Sequence, residues 1–340
     1  MTMDTWRQFK LCQQLRIAAS DISGSLPIAS VSDKLTALAE IILESVLASA
    51  WLHTTERYGK PVHLEDGEYG FAVIGYGKLG GYELGYGSDL DMVFIHNAPG
   101  DSHTDGKRQL DANQFYIKLS QRIMHLLSTK TLFGQLYETD LRLRPSGNSG
   151  LLSCHLNGFI KYQKEDAWTW EHQALVRARG ITGDRALLDD FEDARRDILC
   201  AGREISKLAS EVSQMRQKMR EHLLSDTDAG VDLKQCNGGI TDIEFIAQYL
   251  VLGYASQYQA LTDFPDNLRI IDAARDARLL TDNTAERLQD AYLQLRDRYH
   301  QLTLADHRFA DQSDLSDIRN DVKRIWAEVF QDADIPSDGG

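Results

Sequence analysis

Between residues 71 and 95 the chain permits one kind of connection and forbids the most familiar one. Phe71–Ile74 and Leu90–Ile95 are short apolar runs with strand chemistry. Between them, Gly75-Tyr76-Gly77-Lys78-Leu79-Gly80 spells G-x-G-x-x-G, the pattern of a dinucleotide-binding turn. Such a turn opens a helix that crosses to a parallel strand, and the crossing takes a dozen or more residues. Here seven residues, Tyr82 to Ser88, separate Gly81 from Asp89, and two of the seven are glycine. The phosphate-binding helix does not fit. A kinase glycine loop lacks its H-R-D and D-F-G companions, and a Walker loop would need Gly-Lys-Ser/Thr, also absent. What remains is a short glycine-rich excursion between two strands. It is either a plain hairpin turn or a cradle whose N–H groups converge on an anion.

The next residues favour the cradle. In Gly87-Ser88-Asp89-Leu90-Asp91-Met92-Val93-Phe94-Ile95, strand alternation puts Asp89, Asp91, Val93 and Ile95 on one face and Leu90, Met92 and Phe94 on the other. Both faces of the later part are apolar, so the strand is expected to be interior, yet it opens with two acids on one side. Their Cα atoms lie roughly 6.5 Å apart. Repulsion at that distance is about 0.6 kcal/mol in water and about 2.5 kcal/mol at an effective dielectric near 20. A cation between them relieves it, and Mg²⁺, which is bound through one or two carboxylates plus substrate phosphates, suits the arrangement.

A third acid follows on a separate run. Reading Tyr137–Leu143 as a strand places Glu138, Asp140, Arg142 and Arg144 on one face. Asp140 could complete a three-carboxylate cluster, and the arginines could hold phosphate oxygens. The competing reading is an exposed strand whose charges face water.

Gly-Ser-Asp-x-Asp after a glycine-rich turn, with a later Asp on another strand, resembles the polymerase-β-type nucleotidyltransferase superfamily. More narrowly, the segment from Gly75 to Asp91 resembles the signature of the glutamine synthetase adenylyltransferase family. So do Asp140-Leu141-Arg142-Leu143-Arg144-Pro145, Trp170-Glu171-His172-Gln173-Ala174-Leu175 and Gly238-Gly239-Ile240-Thr241-Asp242-Ile243-Glu244-Phe245. The four blocks span about residues 70–250, in order. The family enzyme is a bifunctional chain with two related units, one removing AMP from glutamine synthetase and one adding it. This chain resembles an isolated half, and Gly85-Tyr86-Gly87-Ser88-Asp89 is similar to the C-terminal, adenylylating one.

The resemblance implies attack by a tyrosine of glutamine synthetase on the α-phosphorus of ATP, with release of pyrophosphate. It implies two Mg²⁺ ions held by Asp89 and Asp91, with Asp140 on the ion nearer the nucleophile. Gly77, Gly87 and Ser88 would hold the β- and γ-phosphates, and Lys78, Arg142 and Arg144 would neutralise them. A PII-type regulator is a further implied partner. Three alternatives stay open: the deadenylylating half, a uridylyltransferase of the same superfamily, and a non-catalytic helical regulatory module.

Other features have plainer readings. Thr241-Asp242-Ile243-Glu244 reads as a capping box with Thr241 at the N-cap. Tyr162, Trp168 and Trp170 read as core residues, and Arg177 and Arg179 as a solvated helix face. The ten histidines show no ligand spacing, and the four cysteines form neither a zinc motif nor a disulfide framework.

The predicted fold is α+β. A helical lead-in (1–60) precedes a small mixed β-sheet nucleotidyltransferase unit (61–153), and a large C-terminal helical bundle follows (154–340). The lead-in is predicted as a helix capped by Ser32 and ended by Gly59-Lys60-Pro61. Helical patterns recur over Leu110–Leu127, Asp184–Leu199, Ile205–Leu224, Thr241–Leu252 and Ala285–Leu304, and Gln331–Gly340 reads as a frayed end. With 37 basic against 51 acidic residues the formal charge is −14. That argues against a nucleic-acid partner and against an anionic membrane surface. The apolar stretch Leu35–Leu52 is broken by Glu40 and Glu44 and the N-terminus lacks a signal-peptide core, so the expectation is a cytoplasmic protein with no membrane span.

Overall fold

The structure, a computed structural model, describes residues 3–223 and 230–331. It is α+β, with a small mixed sheet among many helices. Two compact units divide the chain, Met1–Ala167 with Arg177–Ile198, and Trp168–Val176 with Leu199–Gly340. These units cut the chain differently from the three segments read in the sequence: the lead-in helices and the sheet share one unit, and one sheet strand comes from beyond residue 153.

The first unit opens with α1 (Met3–Ile22) and α2 (Ile28–Tyr58). Helix α2 starts after Pro27 rather than at Ser32, which lies buried inside it. Proline before the first turn forfeits a donor that has no partner there in any case. Gly59 ends the helix at φ 82°, its N–H bonded to the Thr55 carbonyl. A Cβ on Gly59 would lie 2.0 Å from the Gly106 nitrogen, so the close approach of two chain segments also requires glycine. By length and apolar content alone α2 could cross a membrane. Its Val31, Leu35, Leu38, Ile42, Leu43 and Val46 are instead buried in the hydrophobic core of this unit.

The sheet is built from β1 (Phe71–Gly75), β2 (Leu90–His96), β3 (Thr139–Asp140), β4 (Ser153–His155) and β5 (Arg179–Gly183). The one-turn helix α3 (Gly77–Gly80) joins β1 to β2, which are antiparallel. This is the connection the residue count demanded. On its other edge β2 pairs with two short parallel strands, β3 at its beginning and β4 at its end. A parallel neighbour needs a crossover, and α4 (Ala112–Ser128) supplies it between β2 and β3. Asp111 caps α4 by accepting from the N–H groups of Asn113 and Gln114 at 2.9 and 3.4 Å. Phe115, Tyr116, Leu119, Ile123 and Leu126 then form its buried stripe. Strand β5 pairs antiparallel with β1 and completes the sheet. Neither β4 nor β5 was expected from sequence. Helices α5 (Leu156–Glu165) and α7 (Arg185–Leu199) follow β4 and β5.

The predicted strand Tyr137–Leu143 is corrected to the two residues of β3. After Asp140 the chain turns, because the Asp140 carboxylate accepts the Arg142 N–H at 2.8 Å and closes an Asx-type turn. Arg142 and Arg144 therefore do not extend from a strand face.

His96 lies buried at the end of β2, stacked on Tyr116 with ring centroids 4.8 Å apart. Its Nδ1 accepts the Ala98 N–H at 3.3 Å. Burial first, and then His155 and His63 nearby, push its pKa down to about 3. The unfolded chain takes up this proton near pH 6.5, whereas the folded state resists it. The stabilising neutral form is therefore fully favoured above pH 6.5 and is progressively lost as the pH falls toward 3. Between those limits His96 contributes a slope of up to about 1.4 kcal/mol per pH unit. Urea unfolding of wild type and H96F between pH 7 and 4 should show a shallower pH dependence in the variant; parallel curves would refute this.

The second unit is helical: α6 (Thr169–Val176), α8 (Ile205–Leu223), α9 (Ile240–Tyr254), α10 (Asn267–Asp276), α11 (Asp282–Leu304) and α12 (Ser316–Gln331). Position 224, the predicted end of α8, and residues 332–340 of the predicted frayed end lie outside the described residues. Helix α9 is mostly apolar and buried almost all round, and packs against the other five. The capping-box reading is corrected here. The N-cap is Gly239, and Thr241 lies inside the helix. Asp242 instead accepts the Gly238 N–H at 2.7 Å and meets Arg216 at 2.6 Å and Arg220 at 3.0 Å. One buried carboxylate thus anchors the turn before α9 to α8. Nor are Trp168 and Trp170 core residues: they are 72% and 38% exposed.

Candidate active site

The three acids meet. Asp91 and Asp140 are direct partners in the parallel register of β2 and β3, so their side chains stand abreast on one face of the sheet. Asp89, two residues upstream of Asp91, falls on the same face. Carboxylate oxygens of Asp89, Asp91 and Asp140 all lie within 4.8 Å of one another. Asp89 is exposed and the other two are half-buried, so the cluster sits where the buried strand β2 emerges toward solvent.

Arg142 is the cation that meets the cluster first. Its Nε donates to both Asp140 oxygens at 3.0 and 2.8 Å, and its Nη2 to one of them at 2.5 Å. Those bonds hold the Asp140 carboxyl below the usual carboxylate range, against the opposing effect of partial burial. In return Asp140 first, with Asp91 and Asp89 beyond it, raises the Arg142 guanidinium. Arg144 is placed differently. It is buried and donates to the carbonyls of Leu141, Gly150 and Asn148 at 2.7, 3.2 and 3.3 Å, bracing the loop that follows Asp140.

The glycine turn borders the same place. The Tyr76 N–H donates to the Asp91 carbonyl at 2.9 Å, tying the turn to β2. Gly77 adopts φ +54°, and a Cβ there would fall 2.4 Å from Asp91 Oδ2. Glycine is thus required twice, for the left-handed backbone and for room beside the carboxylate. Lys78 follows it in the turn. Ser88 accepts the Gly85 N–H at 2.9 Å, closing the second half of the loop, and Gly87 has open space around it. Gly77, Lys78, Gly87, Ser88 and the three aspartates therefore all belong to the β1–β2 connection or the β2–β3 edge.

Three oxygen-donor side chains and a glycine cradle fit a hard divalent cation. Among the described residues no histidine or cysteine joins the group, so the donor set favours Mg²⁺ over zinc or copper.

Sequence reading missed a second layer. Arg177 and Arg179, read as a solvated helix face, lie under the glycine turn. Arg177 is buried and pairs with Glu83, itself buried in the turn. Arg179, on β5, reaches the Leu79 and Gly80 carbonyls. Their i, i+2 spacing beside Gly180 was the available sign of a strand. A four-residue window over 177–180 is too short to outweigh the helical pattern on either side.

Comparison with known proteins places these residues in context. The GlnE family, described as glutamate-ammonia ligase adenylyltransferase, matches residues 1–194. Residues 206–324 match a family described as GlnD PII-uridylyltransferase. A protein of Alteromonas mediterranea named bifunctional glutamine synthetase adenylyltransferase/adenylyl-removing enzyme is 66% identical over 97% of this chain and 33% of its own length. Proteins of the same name from Shewanella loihica and Shewanella frigidimarina are 53% and 54% identical over 89% of this chain and 32% of theirs. The chain spans about a third of the length of these curated relatives.

Proposed function

We propose, from the premise that this chain belongs to the glutamate-ammonia ligase adenylyltransferase family, that it is an adenylylating unit. It moves AMP from ATP to a tyrosine of glutamine synthetase and releases pyrophosphate. The observation that carries this reading is the convergence of Asp89, Asp91 and Asp140 beside a glycine turn too short for the helix of a dinucleotide-binding fold. The Gly85-Tyr86-Gly87-Ser88-Asp89 wording supports the adding rather than the removing half.

When bound, Mg²⁺ (two ions in this reading) would neutralise triphosphate charge and clamp the attacking and leaving oxygens. Asp89 and Asp91 would hold both ions, and Asp140 the one nearer the acceptor. The chain's own contribution is positional. Gly77, Gly87 and Ser88 seat the β- and γ-phosphates, while Lys78 and Arg142 balance their charge. Arg142 is well placed to exchange partners, since it already neutralises Asp140 and its side chain is 73% exposed. Arg144 keeps Asp140 in place by bracing the loop behind it. A free phenol has a pKa near 10; a divalent cation held by Asp140 would supply positive charge that favours its phenolate. The phenol oxygen bonds to the α-phosphorus, the bond to the pyrophosphate oxygen breaks, and the phenol proton is released.

A second reading, uridylyl transfer from UTP, draws on the match of residues 206–324. One experiment separates the two. Purified glutamine synthetase is incubated with the chain and α-labelled ATP or α-labelled UTP, with and without Mg²⁺. Label from ATP alone, dependent on Mg²⁺, is expected. Label from UTP alone would transfer the assignment to the second reading, and no label from either would defeat both. A PII-type regulator is proposed as a further partner on the same family grounds, and the cytoplasm as the compartment.

A further inference from the structure

We propose that Arg179 is a positioning residue that holds the glycine turn in its nucleotide-receiving shape; the inference rests on the nucleotidyl-transfer reading above. A helix of one turn cannot persist by itself, since nucleation fixes several residues for a single hydrogen bond. In α3 the accounting of carbonyls shows what stabilises it. The Tyr76, Gly77 and Lys78 carbonyls accept the N–H groups of Gly80, Gly81 and Glu83 at 3.0, 3.0 and 2.8 Å. The next two carbonyls along are taken by one side chain. Arg179 Nε donates to Gly80 O at 3.0 Å, and Nη2 to Leu79 O at 3.2 Å.

That side chain is itself fixed on three sides. Its backbone lies opposite Gly75 in the β1–β5 register, just after a slip between Val73 and Ile74. Its Nη2 also meets the Glu40 carboxylate of α2. Its guanidinium lies 3.7 Å from the centroid of the Tyr82 ring, and Tyr82 holds a left-handed φ of +58° at the exit of the turn. A guanidinium fork can serve two carbonyls, a carboxylate and an aromatic face together, because its donors are spread in one plane. An ammonium group cannot. The far end of the turn is thereby clamped, and the near end, where Gly77 packs against Asp91 with no space for a Cβ, inherits its position. Fraying of the turn would displace Gly77 and Lys78 from the carboxylates, and displacements of about 1 Å at a reacting centre are costly.

The test uses R179K and R179Q in the full chain, with three measurements. These are amide hydrogen exchange across residues 76–82 without nucleotide, Mg²⁺-ATP affinity by calorimetry, and steady-state label transfer. In both variants exchange at Gly80 and Gly81 should accelerate about tenfold, and Mg²⁺-ATP affinity should weaken about tenfold. KM for ATP should rise by the same factor with a smaller change in kcat. R179K keeps the charge facing Glu40, so its melting temperature should stay close to wild type while exchange and affinity are not rescued. Normal exchange or normal Mg²⁺-ATP affinity in R179K overturns the inference and leaves the transfer reading standing. Absence of Mg²⁺-ATP binding by the wild type overturns the transfer reading, and the positioning role falls with it.

Discussion

Asp91→Asn should lower nucleotide transfer by at least about 1,000-fold while leaving the chain folded. That factor corresponds to about 4 kcal/mol of transition-state stabilisation, within what the loss of one metal-holding carboxylate removes. Asparagine keeps the shape of the side chain beside Gly77, and it subtracts one negative charge from three whose oxygens crowd within 4.8 Å. The apo variant should therefore unfold at or above the wild-type temperature. Mg²⁺ with ATP should stabilise the wild type through binding to the folded state alone and should barely move the variant. Labelling of glutamine synthetase at near-normal rate by D91N would end the three-carboxylate account, and so would an equal thermal response to Mg²⁺-ATP.

Glu83→Ala carries the largest expected effect on stability, a loss of about 3–5 kcal/mol. Glu83 and Arg177 are both almost wholly buried and paired. Removing one partner strands the other charge out of water, whereas the pair itself adds little beyond a well-packed apolar substitute. The damage should not stay local. The Arg177 backbone sits so close to the turn that a Cβ on Gly80 would lie 2.0 Å from its carbonyl oxygen. Urea unfolding of E83A, with the double variant E83L/R177M as control, tests this; the double variant should recover much of the loss. A cost below about 1 kcal/mol for E83A would show the pair to be dispensable.

The strands β1 and β2 and the antiparallel connection between them were legible because alternation and residue count act over neighbouring positions. The same holds for the pairing of Asp89 with Asp91 on one face. Helices α4, α7, α8 and α11 were equally visible, each having two or more turns of periodic pattern. The failures share a different property. Arg142 and Arg144 were extrapolated along a strand that stops at Asp140, and what stops it is a local side-chain bond that alternation does not encode. Thr241 fitted a capping pattern, but Asp242 was claimed by Arg216 and Arg220 from another helix. Arg177 and Arg179 looked solvated because their partners, Glu83 and Glu40, are 94 and 139 residues away.

By itself, then, the order of residues determined which chemistry was available: paired acids opening a buried strand, preceded by a glycine excursion with no room for a crossover helix. Those are consequences of chain geometry within about twenty residues, where period and reach leave few options. Tertiary structure alone decided that Asp140 stands abreast of Asp91 and that two distant arginines underpin the glycine turn. Each of these depends on strand register and on burial of charge against a partner far along the chain. Neither has a local signature, because the free energy that selects them exists only once the sheet has formed.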